Sequence, residues 1–169
     1  NASFADGYPE LGSTCFISQS GAFCTAALDW AGETGVGFSH FISLGNKAGF
    51  NEAHLIDFLS SESQIKTFAL YLESVSDGTA FIKALRLAAK NNKKVIILEP
   101  GSSKKAHLAS SSHTGSLAPN FRIMQTAYEE AGALQVYSMQ TLFDLIQILD
   151  HHHEPVGKKI GILTNAGGV

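Results

Sequence analysis

Ser112-His113-Thr114-Gly115-Ser116 sets a histidine among small polar residues and a glycine, with no apolar face to bury it. An imidazole with a pKa near ~6.5 keeps a neutral, nucleophilic nitrogen at neutral pH, and small neighbours leave it free to move. Such a group can exchange protons or carry an electrophile for a time. The plain alternative is an ordinary surface-loop histidine. Two further segments offer complementary groups. Ser18-Gln19-Ser20-Gly21 precedes a helical pattern. Serine hydroxyls and free amides at a helix start can receive a phosphate, or the serines can simply cap the helix. The single glycine rules out a dinucleotide fingerprint. Tyr71-Leu72-Glu73 closes an apolar run with a carboxylate. That carboxylate can cap a nearby turn, or it can accept a hydrogen bond from a histidine, fixing its tautomer and raising the nucleophilicity of the other nitrogen.

The elements that must hold these residues alternate along the chain. Apolar runs at 13–18, 38–43, 67–73, 95–99, 134–137 and 160–164 predict strands, and helical patterns fall at 21–33, 52–60, 78–91, 120–131 and 139–150. This alternation predicts an α/β fold, a doubly wound, mostly parallel sheet flanked by helices. Val95-Ile96-Ile97-Leu98 is apolar throughout, as expected of a strand covered on both faces. Ligands of such sheets bind beyond the carboxyl ends of the strands. Ser18 to Gly21, the turn Leu44-Gly45-Asn46, Glu73 and the loop from Glu99 to His113 all follow strand ends, so one edge should gather them. The expected division is one flavodoxin-like domain over 1–157, with 158–169 opening a second α/β domain through a strand and the turn Asn165-Ala166-Gly167-Gly168. The start at Asn1 and the stop just after a glycine turn suggest a piece of a longer protein.

Composition narrows the function classes. Charged residues make up 16% of the chain, against a typical ~25%, which suggests a surface partly covered by other protein. The net charge is −3, with only Arg86 and Arg122 as arginines and lysine pairs at 93–94, 104–105 and 158–159. Nucleic-acid binding wants a concentrated basic face, and none is visible. No apolar run reaches the ~18 residues that span a membrane, and no signal peptide is expected from these residues. Cys15 and Cys24 fall in apolar surroundings and read as reduced core thiols of a cytoplasmic protein. His151-His152-His153, ahead of Pro155, reads as a solvated loop in preference to a metal site.

Five ordered segments carry a family resemblance: Ser18-Gln19-Ser20-Gly21-Ala22, Ser43-Leu44-Gly45-Asn46, Tyr71-Leu72-Glu73, Ser112-His113-Thr114-Gly115 and Leu163-Thr164-Asn165-Ala166-Gly167-Gly168. In order and spacing they resemble the second, flavodoxin-like domain of the ADP-forming acyl-CoA synthetases, relatives of the succinyl-CoA synthetase α subunit. The resemblance covers nearly the whole chain. It implies an acid–thiol ligase working through a phosphohistidine. Acyl-CoA and phosphate give an acyl phosphate and CoA, and a loop histidine then relays the phosphoryl group to a nucleotide on an ATP-grasp domain. By this resemblance His113 is the phosphorylated residue and Glu73 its orienting carboxylate. Ser18, Gln19, Ser20, Gly21, Thr114 and Gly115 would hold the phosphoryl group. No cofactor or metal is expected on this chain itself. CoA, ATP or ADP, phosphate and Mg belong to the full enzyme, as do a CoA-binding domain, an ATP-grasp domain or subunit, and oligomeric assembly. Family members commonly end the strand before the loop in lysine followed by Ser-Gly-Arg-Ser, where this chain has Glu99-Pro100-Gly101-Ser102-Ser103. The segment Lys105-Ala106-His107 also replaces a more usual glycine-containing stretch. The other reading is the synthetase-like regulatory part of a protein lysine acetyltransferase. Members of that group often lack the loop histidine, so His113 with Glu73 favours the ligase.

Overall fold

Successive side chains of a β-strand point to opposite faces, so a strand apolar throughout demands a cover on each side. The computed structural model describes residues 9–47, 49–100, 121–151, 157–159 and 161–163. In chain order it contains β1 (Leu11–Ser18), α1 (Gly21–Thr34), β2 (Phe38–Ser43), α2 (Glu52–Leu59), β3 (Thr67–Tyr71), α3 (Gly78–Lys90) and β4 (Lys94–Leu98). There follow α4 (Phe121–Glu130), β5 (Ala133–Val136) and α5 (Met139–His151). The strands form one five-stranded sheet in the order β2-β1-β3-β4-β5, and every neighbouring pair is parallel. Cys15, Ile17, Phe68, Leu70, Val95 and Ile97 pack on one face beneath Ile56 of α2, Phe81 and Leu85 of α3 and Tyr128 of α4. Phe16, Ala69, Ile96 and Leu98 pack on the other beneath Phe23 and Ala27 of α1 and Leu142 and Phe143 of α5. The expected doubly wound parallel architecture is therefore present.

Helix starts follow local chemistry. Ser20, Asn51 and Asp77 each accept a hydrogen bond from the third residue onward, capping α1, α2 and α3. Gly35 closes α1 in the left-handed region at φ 70°, where a side chain would be strained. Burial pushes the Cys15 thiol up to about 12, and Cys15 and Cys24 are both free and buried, as core thiols should be. Among the described residues no helix is long and apolar enough to cross a membrane.

Several boundaries differ from expectation. β3 ends at Tyr71 and β4 at Leu98, so Glu73 and Glu99 lie just beyond the ladder instead of within it. Leu72 still donates to the Leu98 carbonyl at 3.0 Å, but the next amide, that of Glu73, turns to a side chain of the neighbouring turn. The α5 helix runs one residue past Asp150 to His151, and the other two histidines of that run lie outside the described residues. Over 160–164 the described Gly161, Ile162 and Leu163 form no strand and stand exposed. A strand needs a paired neighbour, and among the described residues none pairs with this run. Ile160 and 164–169, with the expected glycine turn, lie outside the described residues.

At the amino edge β1 and β2 meet through an irregular register in which Leu11 and Thr14 both face Phe38. Gly12 in β1 and Gly37 just before β2 permit it. A Cβ on Gly37 would lie 2.5 Å from the Leu11 carbonyl carbon, and one on Gly12 would lie 2.3 Å from the Gly37 oxygen. Both obstacles are backbone and cannot rotate aside. Gly37→Ala should therefore lower the free energy of unfolding by about 1–3 kcal/mol, read as a lower urea midpoint at unchanged slope. An unchanged midpoint would mean that the two strands part here without cost.

Candidate functional site

Register fixes what meets at the carboxyl edge. Ser18 is aligned with Ser43 on one side and Tyr71 on the other, and Tyr71 with Leu98. Because α1 covers one face and α3 the other, the chain leaves β1 and β3 in opposite directions and opens a crevice between them. Gln19 spans it. Its amide N–H donates to the Tyr71 carbonyl at 3.1 Å. Its side-chain Oε1 accepts from the Glu73 and Ser74 amides at 2.8 and 3.1 Å, and Nε2 donates to the Ser74 carbonyl at 2.8 Å.

The Ser18–Gly21 turn divides into two kinds of group. Ser18 is buried, and its hydroxyl is used within the turn, donating to the Ser20 carbonyl at 2.9 Å and accepting from the Ser20 amide at 3.0 Å. Ser20 Oγ accepts from the Phe23 amide at 3.3 Å. The amides of Gly21 and Ala22 have no partner among the described residues, and both residues are exposed at the positive end of a 14-residue helix. A Cβ built on Gly21 meets nothing within 4 Å, so the approach is open. Across the crevice Glu73 is exposed, and among the described residues its carboxylate accepts no hydrogen bond. The Tyr71 ring stacks on Phe23 at 4.2 Å, and its phenol is pushed up by burial and then by the negative charge of Glu73. The structure thus brings Gln19, Ser20, Gly21 and Glu73 to one edge. His113, Thr114 and Gly115 lie outside the described residues, which run to Pro100 at that edge and resume with α4.

Two groups at this edge escaped the sequence reading. The Lys47 ammonium lies 2.9 Å from Glu52 Oε2, with side chains only 8% and 0% exposed. Lys47 also donates to the Ser74 carbonyl, and Glu52 Oε1 accepts from the Ser76 amide at 3.1 Å. A signal existed. Glu52 lies on the same α2 stripe as the buried Ile56 and Leu59, and an acid on an apolar stripe requires a partner.

The sequence signature described as a succinyl-CoA ligase like flavodoxin domain matches residues 11–149. The chain belongs to this domain family. The ADP-forming acetate–CoA ligase I of Archaeoglobus fulgidus is 37% identical over 168 residues, which cover 99% of this chain and 24% of that protein. The α subunit of ADP-forming acetate–CoA ligase I from Pyrococcus furiosus is 33% identical over the whole chain, covering 36% of its own length. A Ca. Korarchaeum cryptofilum structure, described as dinucleotide forming acetyl-coenzyme A synthetase 1 with phosphate and ADP, superposes with a TM-score of 0.84 at 31% identity. That match covers 93% of this chain and 34% of the other. The chain therefore spans about a quarter to a third of the proteins it matches.

Within this succinyl-CoA ligase-like flavodoxin domain, Glu99 sits just beyond the end of β4. Its Oε1 accepts from the buried Tyr128 hydroxyl at 2.6 Å and its Oε2 from Gln135 Nε2 at 2.9 Å. Burial pushes the carboxyl above its ordinary 4.5, and the two hydrogen bonds recover only part of that. The Tyr128 phenol is in turn pushed up by burial and by Glu99. A raised acid holds its proton more tightly when folded, so its contribution to stability is present below 4.5 and is lost as pH rises through the raised value. In Glu99→Gln the new amide can donate to Gln135 Oε1, a buried oxygen without a partner, once the Gln135 amide turns over. The variant should match or exceed the parent in urea midpoint at pH 8, with the advantage shrinking as pH falls through the carboxylate range. A variant that is less stable at pH 8 than at pH 4, relative to the parent, would reverse this sign.

Proposed function

We propose that this chain is the phosphoryl-relay domain of an ADP-forming acyl-CoA synthetase, with His113 as the phosphorylated residue. The observation that carries the reading is the Glu73 carboxylate, without a hydrogen-bond partner among the described residues and at the same sheet edge as the open Gly21 and Ala22 amides, where β4 ends ahead of the His113 segment in sequence. The relatives named for ADP-forming ligation of acetate to CoA supply the reaction class. Phosphate attacks the acyl-CoA thioester, forming a carboxyl–phosphate bond as the CoA thiolate leaves. A neutral His113 nitrogen then takes the phosphoryl group and releases the carboxylate. ADP takes it from His113 to give ATP, and the histidine is regenerated. CoA, nucleotide and Mg are held by CoA-binding and ATP-grasp parts of the same enzyme.

The residues of this chain act on charge and orientation. Glu73 accepts a hydrogen bond from the proton-bearing ring nitrogen of His113, which aims the other nitrogen at phosphorus and stabilises the positive ring of the adduct. The adduct carries about two negative charges. The Gly21 and Ala22 amides stabilise these without titrating, because they are fixed dipoles at a helix start. Ser18 and Ser20 shape the turn that presents those amides, and Thr114 and Gly115 beside the histidine complete the phosphoryl cradle.

In the complete enzyme, His113→Ala should abolish the acid-labile, base-stable label acquired from γ-labelled ATP. Glu73→Gln should slow labelling by about 10²-fold, the usual scale for a lost proton-handling partner. A label that persists in the alanine variant would place the nucleophile elsewhere.

A further inference from the structure

The four-residue loop Glu73-Ser74-Val75-Ser76 is fastened by more than Gln19. Val75 packs against the core, while Glu73 and Ser74 are exposed. The Ser74 carbonyl accepts from both Gln19 Nε2 and the Lys47 ammonium, and the Ser76 amide donates to Glu52 Oε1. Lys47 lies in the connection after β2 and Glu52 opens α2, so the second fastening comes from one strand further out than Gln19's own turn after β1. We infer that the buried Lys47–Glu52 ion pair is a positioning device that fixes the backbone of this loop, and with it the direction in which Glu73 presents its carboxylate.

The alternative is that the pair merely adds stability. Buried ion pairs are poor stabilisers, since apolar residues of like volume often serve as well. What an apolar pair could not supply is a donor for the Ser74 carbonyl and an acceptor for the Ser76 amide, placed on either side of Val75. The pair also requires an unfavourable backbone. Lys47 sits at φ 56°, a left-handed conformation that a side chain disfavours, at the end of the turn that starts from Leu44. A residue kept at that angle, with its ammonium led into a nearly closed site, suits a constraint on geometry better than one on stability. Lys47 and Glu52 do not touch the reacting atoms; they act through Glu73.

This inference rests on the role proposed for Glu73, so its test is built to fail separately. The complete enzyme would be prepared as Glu52→Gln, as the charge-free Lys47→Met/Glu52→Gln pair, and as each combined with Glu73→Gln. Expected are faster hydrogen exchange in the peptide spanning 72–77 and phosphohistidine formation slowed about tenfold or more. Displacing a catalytic partner by about 1 Å can cost up to ~10²-fold. The KM for nucleotide should stay unchanged, and Lys47→Arg should keep most of the rate. In the Glu73→Gln background the same changes should slow labelling no further, because partners acting through one group are not additive. Unchanged exchange in both variants, or a rate loss that adds in full to that of Glu73→Gln, would overturn the inference. The charge-free pair keeps the test open should Glu52→Gln, with its unpaired lysine, fail to fold. If Glu73→Gln alone labels at the parent rate, the proposed role of Glu73 has failed, and exchange alone decides whether the pair holds the loop.

Discussion

The pairing of β1 between β2 and β3 is the constraint on which the rest of the site depends. It aligns Ser18 with both Ser43 and Tyr71 and makes β1 the strand at which the winding reverses. The chain must then leave β1 toward one face and β3 toward the other, so the two exits separate and backbone groups at the edge lose their ladder partners. The Glu73 and Ser74 amides and the Ser74 carbonyl are such groups. These groups are exposed, so pairing them within the protein fixes the loop and does not relieve buried polarity. Gln19 satisfies all three with one side chain, because a carboxamide is both acceptor and donor. A crevice that follows from topology is thus bridged by a residue whose chemistry matches its edges.

Much of this was legible in the chain. Alternating apolar runs and helical patterns gave the parallel doubly wound sheet, because the covered strands leave continuous runs such as Val95 to Leu98. Ser20, Asn51 and Asp77 mark helix starts because their short side chains reach the amides three residues on. Ser18 to Gly21 and Glu73 fall on one edge because both follow parallel strands. Other features depend on distance in sequence. Gln19 could be placed in the expected phosphate turn from its local sequence, but its bridging role could not, because its partners are 54 and 55 residues away and appear only once β3 lies beside β1. Likewise Glu99 stood out only as a departure from the resemblance, and its partners Tyr128 and Gln135 come from α4 and β5. The run at 160–164 has the composition of a strand, but composition cannot provide the neighbour that a strand requires.

Three carboxylates near this edge show how environment assigns roles to one functional group. Glu52 is fully enclosed and faces an ammonium and an amide, so its charge is matched at short range and its geometry is fixed. Glu99 is held by a phenol and a carboxamide, neutral donors that leave the cost of burying its charge only partly offset, and its affinity for a proton rises. Glu73 differs from both. Its backbone is held by Gln19 while its carboxylate stands in solvent without a partner among the described residues. Under the role proposed for Glu73, an acceptor for an imidazole is best placed in advance and left unpaired, since an existing partner would have to be displaced on every encounter. Of the three, only Glu73 combines a fixed position with an open hydrogen-bonding capacity. The two enclosed acids have already committed theirs to holding the fold around it.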